Sequence, residues 1–477
     1  MSHCGYITNL KNVRPHPNAD RLILATCFES TVCVAKDKYF EGQIGVYFET
    51  DLQLSMEFCE KNGLLAVYEN GVNISGGYMD PAKRNVRSIK LRGEQSDGLF
   101  LPLECLAYTG APLEEFKPGD PINTVNGHEI CRKFIPAQTT PATVAGGAGK
   151  RVKRRAKRSI APQFFEHKDT EQLQYHLDLF KSGDQIEITR KLHGTSGRTA
   201  YTKVLKGYKR TLWDRILRRE GTPIYDWGYV SGTRRTVMDT FEGGFYGSNE
   251  FRRQYHEFFE GKLWKGETVY YEIVGFTHDG KSIMGQCSNK KLNDKEFLKQ
   301  YGETTTFSYG CAPFPEKIGG VANPEDPNST FAEIKPQSRI FVYRMTMTNE
   351  DGEVVEYTPD FMRHRCMYMG VDCVPVEWVG TIPDEEVFTG TTCEYTNPGE
   401  FVMEKAKEFY DGPEPLDPTH IREGVVVRII NRPTFTAYKL KNWFFKALEG
   451  IVKVEADAPD MEEAEELIRE AETENAE

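Results

Sequence analysis

Between Pro136 and Gly149 the chain runs through fourteen residues of Pro, Ala, Gln, Thr, Val and Gly with no charge, and seven of the next nine, Lys150 to Arg158, are lysine or arginine. The first stretch has too few large apolar side chains to build a core face, and the second would bury unpaired cations. No hydrophobic core can run through them. The chain must therefore fold as separate bodies on either side, with a boundary near residue 155, and 477 residues suit two or three domains of ordinary size.

Before that boundary, residues 1–135 alternate short β-like runs, Thr31–Ala35 and Ile44–Phe48 among them, with Gly, Asn, Asp and Pro turns. That pattern predicts a small β-barrel. Beyond it, residues 159–452 are mixed. Strand-like runs fall at Gln185–Thr189, Thr268–Val274, Ile340–Tyr343 and Gly424–Ile430, and helical patterns at Glu250–Glu260 and Glu400–Tyr410. Residues 453–477 form an acidic tail in which Met461, Ala464, Leu467, Ile468 and Ala471 predict a helix over Asp460–Glu474, read as a cap on the body before a helix for a partner.

Charge is what bears on partners. The net charge of −11 disfavours a polyanion, yet much of the acid sits in the tail, while Lys150–Arg158 is strongly basic, so nucleic acid stays open as a partner. Eleven cysteines, with no Cys-x-x-Cys, read as reduced thiols, Cys366 and Cys373 included, rather than as disulfides or a zinc site. No run approaches the roughly 18 apolar residues of a membrane span. Met1 to Tyr6 shows no basic then apolar leader, so the cytoplasm, or the nucleus in a eukaryote, is the expected compartment.

One segment introduces chemistry. Lys191-Leu192-His193-Gly194-Thr195-Ser196 follows directly on a strand-like run, with Gly194 set to turn the backbone closely beneath the lysine. Alone it says little, because Lys-x-x-Gly recurs at Lys317-Ile318-Gly319-Gly320 and a solvated turn lysine is the commoner meaning. The company it keeps is more specific. In order come Ser231-Gly232-Thr233-Arg234-Arg235, Tyr271-Glu272-Ile273-Val274-Gly275-Phe276, Phe341-Val342-Tyr343-Arg344, Glu423-Gly424-Val425-Val426-Val427-Arg428 and Tyr438-Lys439-Leu440-Lys441. Glu449-Gly450 imitates the fifth of these six segments, but only Glu423 is followed at strand spacing by a paired-lysine strand.

This series resembles the ordered motifs of the covalent nucleotidyltransferases, the ATP-dependent DNA ligases, RNA ligases and mRNA capping enzymes, over about residues 160–450. The resemblance implies an α+β nucleotidyltransferase, the ATP-grasp-like ligase adenylation fold of antiparallel sheets with flanking helices, behind a β-barrel OB-like domain. It implies ATP and Mg²⁺ or Mn²⁺ as cofactors and Lys191 as the residue that bonds to AMP. By the same token Thr189, Lys191, Arg234, Arg235, Glu272, Tyr343, Glu423, Lys439 and Lys441 would bind the nucleotide, with Glu272 and Glu423 on the metal. The chemistry is coherent. A lysine attacks only as the neutral amine, and cations beside it weaken the ammonium. Lys439 and Lys441, two apart on a strand, share a face and can do this while holding the α-phosphate. Glu272 and Glu423 suit a hard cation or ribose hydroxyls, and Tyr343 can stack on adenine.

Within that superfamily, 36 residues after Lys441 leave no room for the trailing barrel of DNA ligases and capping enzymes. His193, where DNA ligases have aspartate, and Thr195 look like RNA ligases. His16-Pro17-Asn18-Ala19-Asp20-Arg21-Leu22 and Lys90-Leu91-Arg92-Gly93-Glu94-Gln95-Ser96-Asp97-Gly98-Leu99 resemble an OB-fold tRNA-binding module. Together these resemble the Deinococcus-type RNA ligases, which implies a monomer that seals 3′-OH and 5′-phosphate ends in RNA repair. Arg428 departs from the usual lysine, and the long stretch from Thr277 to Pro336 has no assigned role. The basic, aromatic stretch Tyr208–Arg215 reads as a solvated loop before an RNA surface. Two alternatives remain: an RNA- or tRNA-binding adaptor with an inactive ligase-like domain, and a GTP-dependent capping guanylyltransferase.

Overall fold

A computed structural model describes residues 4–449 apart from 51, 70–71, 78, 135–159, 217–220, 239, 243–247, 324–325 and 390–394. The uncharged stretch, the basic run and the acidic tail with its expected helix lie outside the described residues.

In the N-terminal region, strands Gly5–Asn9, Ile44–Phe48, Leu99–Pro102 and Pro121–Ile122 form one antiparallel sheet, and Lys11–Pro15, Leu22–Cys27 and Ser30–Ala35 form another. Alternation along the first sheet sends Ile7, Val46 and Phe48 into a cluster with Leu54, Phe58 and Leu106. Their neighbours Tyr6, Tyr47 and Phe100 point the other way, against Ile23, Ala25 and Val32 of the second sheet. Tyr175, from beyond the linker, completes that second cluster. Its ring stacks on Tyr6 at 4.2 Å between centroids. A Lys407–Glu29 ion pair of 2.7 Å adds a second tie between the two regions.

Ten elements matter in the second region: β1 (Gln185–Lys191), β2 (Thr195–Lys209), β3 (Thr222–Gly232), α1 (Glu250–Phe259), β4 (Glu267–Gly275), β5 (Ser338–Thr348), α2 (Pro359–Met369), β6 (Gly424–Ile429), β7 (Thr436–Lys441) and α3 (Trp443–Leu448). β7, β6 and β1 lie side by side in a five-stranded sheet, while β3, β2, β4 and β5 form the middle of a seven-stranded one. β1 and β2 are consecutive yet belong to different sheets, so residues 192–194 carry the chain from one to the other. That crossing is tight: a Cβ on Gly194 would lie 2.3 Å from the Ile273 carbonyl oxygen, which only glycine avoids. It is also tied down. The buried Arg252 guanidinium on α1 donates to the Ser196 carbonyl at 2.8 Å and to the Thr195 hydroxyl at 2.6 Å.

The strand-like runs named from sequence all fall on strands, and the two described helical patterns appear as Glu250–Phe259 and Pro398–Lys407. α2 was not anticipated. Thr358 caps it, Pro359 opens it and Gly370 closes it in the left-handed conformation. Its inner face buries Met362, Cys366 and Met369 in one apolar cluster, and Arg365 is buried beside them against Glu267 at 2.7 Å. Among the described residues no helix is long and apolar enough to cross a membrane.

Candidate functional site: a lysine-floored cleft between two sheets

The period of two along β1, β6 and β7 sorts their side chains into a core face and a cleft face. Ile186, Ile188, Val425, Val427, Ile429 and Leu440 enter one apolar cluster. The alternate residues, Glu187, Thr189 and Lys191 from β1, Val426 and Arg428 from β6, and Ala437, Lys439 and Lys441 from β7, line one cleft. Register decides which residues meet. Lys191 pairs with Gly424 and Gly424 with Lys441, one row across three strands, and Thr189, Val426 and Lys439 make the next row. Gly424 is required here: its φ is +147°, and a Cβ would lie 2.1 Å from the Leu440 carbonyl oxygen.

Glu423 sits at the head of that row. Its Oε1 lies 2.7 Å from Lys191 Nζ and 3.3 Å from Lys441 Nζ, and its side chain is 1% exposed. Burial opposes ionisation of this carboxyl, but Lys191, Lys441 and His193 outweigh it and hold the carboxyl below the usual glutamate range. Its Oε2 accepts no hydrogen bond, although His193 Nδ1 lies 3.9 Å away.

The seven-stranded sheet closes the cleft from the opposite side with Ser196, Glu272 and Tyr343. Ser196 pairs with Glu272 and Glu272 with Phe341 across β2, β4 and β5. Tyr343 is half-buried, and the His167 ring meets it edge-on at 5.0 Å between centroids. Arg234 also lines the cleft, whereas Arg235 is not among the lining residues. Both reach Asp169, at 3.3 Å each. Burial raises the Asp169 carboxyl, but Arg234 and Arg235 carry it below its ordinary value.

The structure thus brings Thr189, Lys191, Arg234, Glu272, Tyr343, Lys439 and Lys441 to one cavity, while Glu423 is not among its lining residues and reaches it only through its ion pairs with Lys191 and Lys441. The second Lys-x-x-Gly is elsewhere: Lys317 lies on the hairpin of Glu316–Asn323 and Asp326–Lys335 and takes no part in the cleft. The imitation at Glu449 is not idle, however. Glu449 is buried, and its Oε1 lies 3.1 Å from His193 Nε2, so the imidazole stands between two carboxylates, Glu423 and Glu449. The stretch 277–336 supports the same point. Tyr309 accepts the His193 backbone N–H at 2.7 Å, Phe307 meets the imidazole edge-on, and the Cys287 thiol faces Glu449 at 3.4 Å.

Sequence reasoning missed further lining residues: His167, Arg363 and Glu187, the last two paired at 2.6 Å. Glu187 was within reach, since it is on the same face of β1 as Lys191 at period two. Arg363 was not, because α2 itself was unseen. Arg428 is buried over the Phe435 ring and donates to the Tyr357 carbonyl at 3.1 Å.

Glu272 lines the cleft and Glu423, just before β6, keeps one carboxylate oxygen without a hydrogen bond, and carboxylates are the donors a divalent cation takes when phosphate and water complete its shell. Among the described residues no group of three or more acidic, histidine or cysteine ligands is gathered. Another cavity is lined by Lys441 and Lys446 together with Glu49 and Asp97 of the N-terminal region. Burial lowers the Lys446 ammonium's affinity for its proton.

A family model described as an OB-fold domain matches residues 5–103. No curated protein matches the chain in sequence. Solved structures similar in fold include a Naegleria gruberi RNA ligase with PPi, at 15% identity and TM-score 0.50, covering 94% of this chain and 98% of that one. A lysine-to-methionine mutant of that ligase with AMP and Mn gives 15% identity and TM-score 0.51, covering 93% and 99%. An arginine-to-alanine mutant with ATP and Mn gives 16% and 0.50, covering 93% and 98%. The architecture is therefore an OB fold followed by antiparallel sheets with flanking helices, similar in fold to that RNA ligase.

Proposed function

We propose that the protein is an ATP-dependent RNA ligase whose Lys191 forms the covalent lysyl-AMP. The observation that carries this is the convergence of Lys191, Lys439 and Lys441 on one cleft wall, with Glu423 ion-paired to Lys191 and Lys441, opposite Glu272 and Tyr343. The similarity of fold to an RNA ligase solved with ATP, AMP, PPi and Mn supports the same reading.

In this reading Lys191 Nζ attacks the α-phosphorus of ATP and pyrophosphate leaves with the electron pair of the broken P–O bond. The AMP then passes to an RNA 5′-phosphate, regenerating the lysine. A 3′-hydroxyl attacks that activated phosphate, the phosphodiester forms and AMP departs. Lys439 and Lys441 hold the α-phosphate and stabilise the charge that builds on it. Tyr343 and Val426, on opposite walls, sandwich the adenine. Glu423 holds Lys191 Nζ in an ion pair at 2.7 Å, and its engagement elsewhere would free that nitrogen to attack. Glu423 and Glu272 would hold Mg²⁺ or Mn²⁺, whose chemistry there would be to draw the Glu423 carboxylate from Lys191 and to neutralise phosphate charge. The substrate is RNA carrying 3′-OH and 5′-phosphate ends, as in the Deinococcus-type ligases, and the N-terminal region positions it.

The test incubates the protein with α-labelled ATP and magnesium, denatures it, and looks for bound label. Label lost in Lys191→Ala and retained in the unmutated protein supports the reading. Label on another lysine, or label from GTP and none from ATP, overturns it.

A further inference from the structure

We propose that the outer halves of β2 and β3 form a docking ribbon for the RNA flanking the junction, an inference that rests on the ligase reading. β2 pairs with β4 only through Thr195–Ala200; from Tyr201 to Lys209 its strand partner is β3. A two-stranded ribbon that leaves its sheet is marginally stable in water unless something covers it. One face is covered by the chain itself, where Val204 packs with Ala161 and Phe164. The other presents Tyr201, Lys203 and Leu205 opposite Tyr229, Trp227 and Tyr225, all half-exposed. The Lys203 ammonium lies 4.7 Å and that of Lys265 5.5 Å from the centroid of the Trp227 ring, and Tyr201 stacks on Tyr229 at 4.6 Å. Past the ribbon's end Leu212 and Trp213 are 71% and 70% exposed, next to exposed Lys209 and Arg210.

Charge selects the occupant. Residues 195–232 hold eight lysines and arginines against three acidic residues, in a chain whose net charge is −11. Half-exposed rings with ammonium groups over them suit bases and phosphates together, since a ring offers a stacking surface and the lysines neutralise the backbone. The ribbon is also continuous with the cleft. Ser196 near the start of β2 lines it, and β3 leads into Arg234, which lines it too. At about 3.3 Å per residue, Lys209 lies on the order of 40 Å along the strand from Ser196. RNA whose end lies at Lys191 has this track beside it.

The experiment uses the intact protein and a nicked RNA duplex, followed by fluorescence anisotropy across a salt series, with long arms and with arms of a few nucleotides. Lys203→Ala/Lys265→Ala should weaken long-arm binding about tenfold and lower the salt slope by about 2, one for each phosphate that no longer has a lysine to neutralise it. Lys203→Arg/Lys265→Arg should restore both. Trp227→Ala should weaken binding with little change in slope, and short arms should be insensitive to all three variants. Lysyl-AMP formation, measured in parallel, should be unchanged. Full-strength binding with an unchanged slope in Lys203→Ala/Lys265→Ala overturns the proposal, as does a defect confined to association with another protein. If the unmutated chain forms no lysyl-AMP, the ligase reading falls, while the anisotropy still tests the ribbon as an RNA surface.

Discussion

The two sheets that face across the cleft divide its chemistry unequally. The five-stranded sheet puts three lysines on one face and aliphatic side chains on the other, with buried Glu423 at the end of the row. The seven-stranded sheet offers one carboxylate, a hydroxyl and a ring, Glu272, Ser196 and Tyr343, and continues outward into the β2–β3 ribbon. Charge that can act on a reacting phosphate is concentrated on the first wall; the second is built for contact with what is already bound. If this contrast is functional, damage to the first wall should appear in rate, and damage to the second in affinity.

The largest expected effect is at Lys191. Lys191→Ala removes the only atom the reading allows to bond to AMP, so labelled adduct should be undetectable, while sealing of a chemically pre-adenylylated RNA persists in part. Lys439→Ala and Lys441→Ala come next, since removing a charge that stabilises the transition state commonly costs about 10²-fold or more. Pre-steady-state adduct formation should show it mainly in the maximal rate. Normal rates in both variants would remove the first wall's claim on the chemistry.

Tyr343→Ala should do the opposite. Loss of a base–aromatic stack costs about 1–3 kcal/mol, so KM for ATP should rise roughly ten- to a hundredfold, with kcat little changed. An equal fall in kcat would erase the distinction between the walls.

How far these walls could be read from sequence follows from their packing. β6 and β7 were legible because alternation separates Lys439 and Lys441 from Leu440, and because a charged pair two residues apart in a strand is conspicuous. β4 is buried at every position, so alternation is invisible there and only the charge of Glu272 marks the cleft side. The pairing that brings Lys191 beside Gly424 spans more than two hundred residues, and no local pattern encodes it. The same limit explains Glu449. On sequence it imitates the Glu423 motif, and only the packing of α3 shows its carboxylate against His193.

Glu449 should therefore act as a positioning residue, with a smaller effect than either wall. Glu449→Gln keeps the shape but removes the charge facing His193 Nε2, leaving the imidazole to Glu423 alone. Adduct formation should slow several-fold and its pH profile should shift, with KM for ATP close to the parent value. Glu449→Asp should recover part of the rate. A Glu449→Gln profile that overlays the parent's at every pH would mean the contact is structural only.

The smallest effect tests the electrostatics of the first wall without turnover. Because Lys191, Lys441 and His193 overcome burial and depress the Glu423 carboxyl, the native state gives up this proton more readily than the unfolded chain does. The unfolded state then binds more protons in acid, so stability rises with pH across that window. The contribution is fully present above the unfolded glutamate value of about 4.3 and is lost as pH falls through the lower folded value. Asp169 and Asp417 are depressed as well and add slope of the same sign, so Glu423 supplies only part of the acid dependence. Glu423→Gln should accordingly lose less stability than the parent between about pH 5 and pH 3, measured as the urea midpoint at each pH. If burial governed instead, Glu423 would be protonated in the native state and its folded value raised. Its contribution to stability would then weaken as pH rises through the unfolded value, and replacement by glutamine would steepen the acid slope. The sign of that change decides whether the lysines or the burial control the carboxylate on which the activation of Lys191 depends.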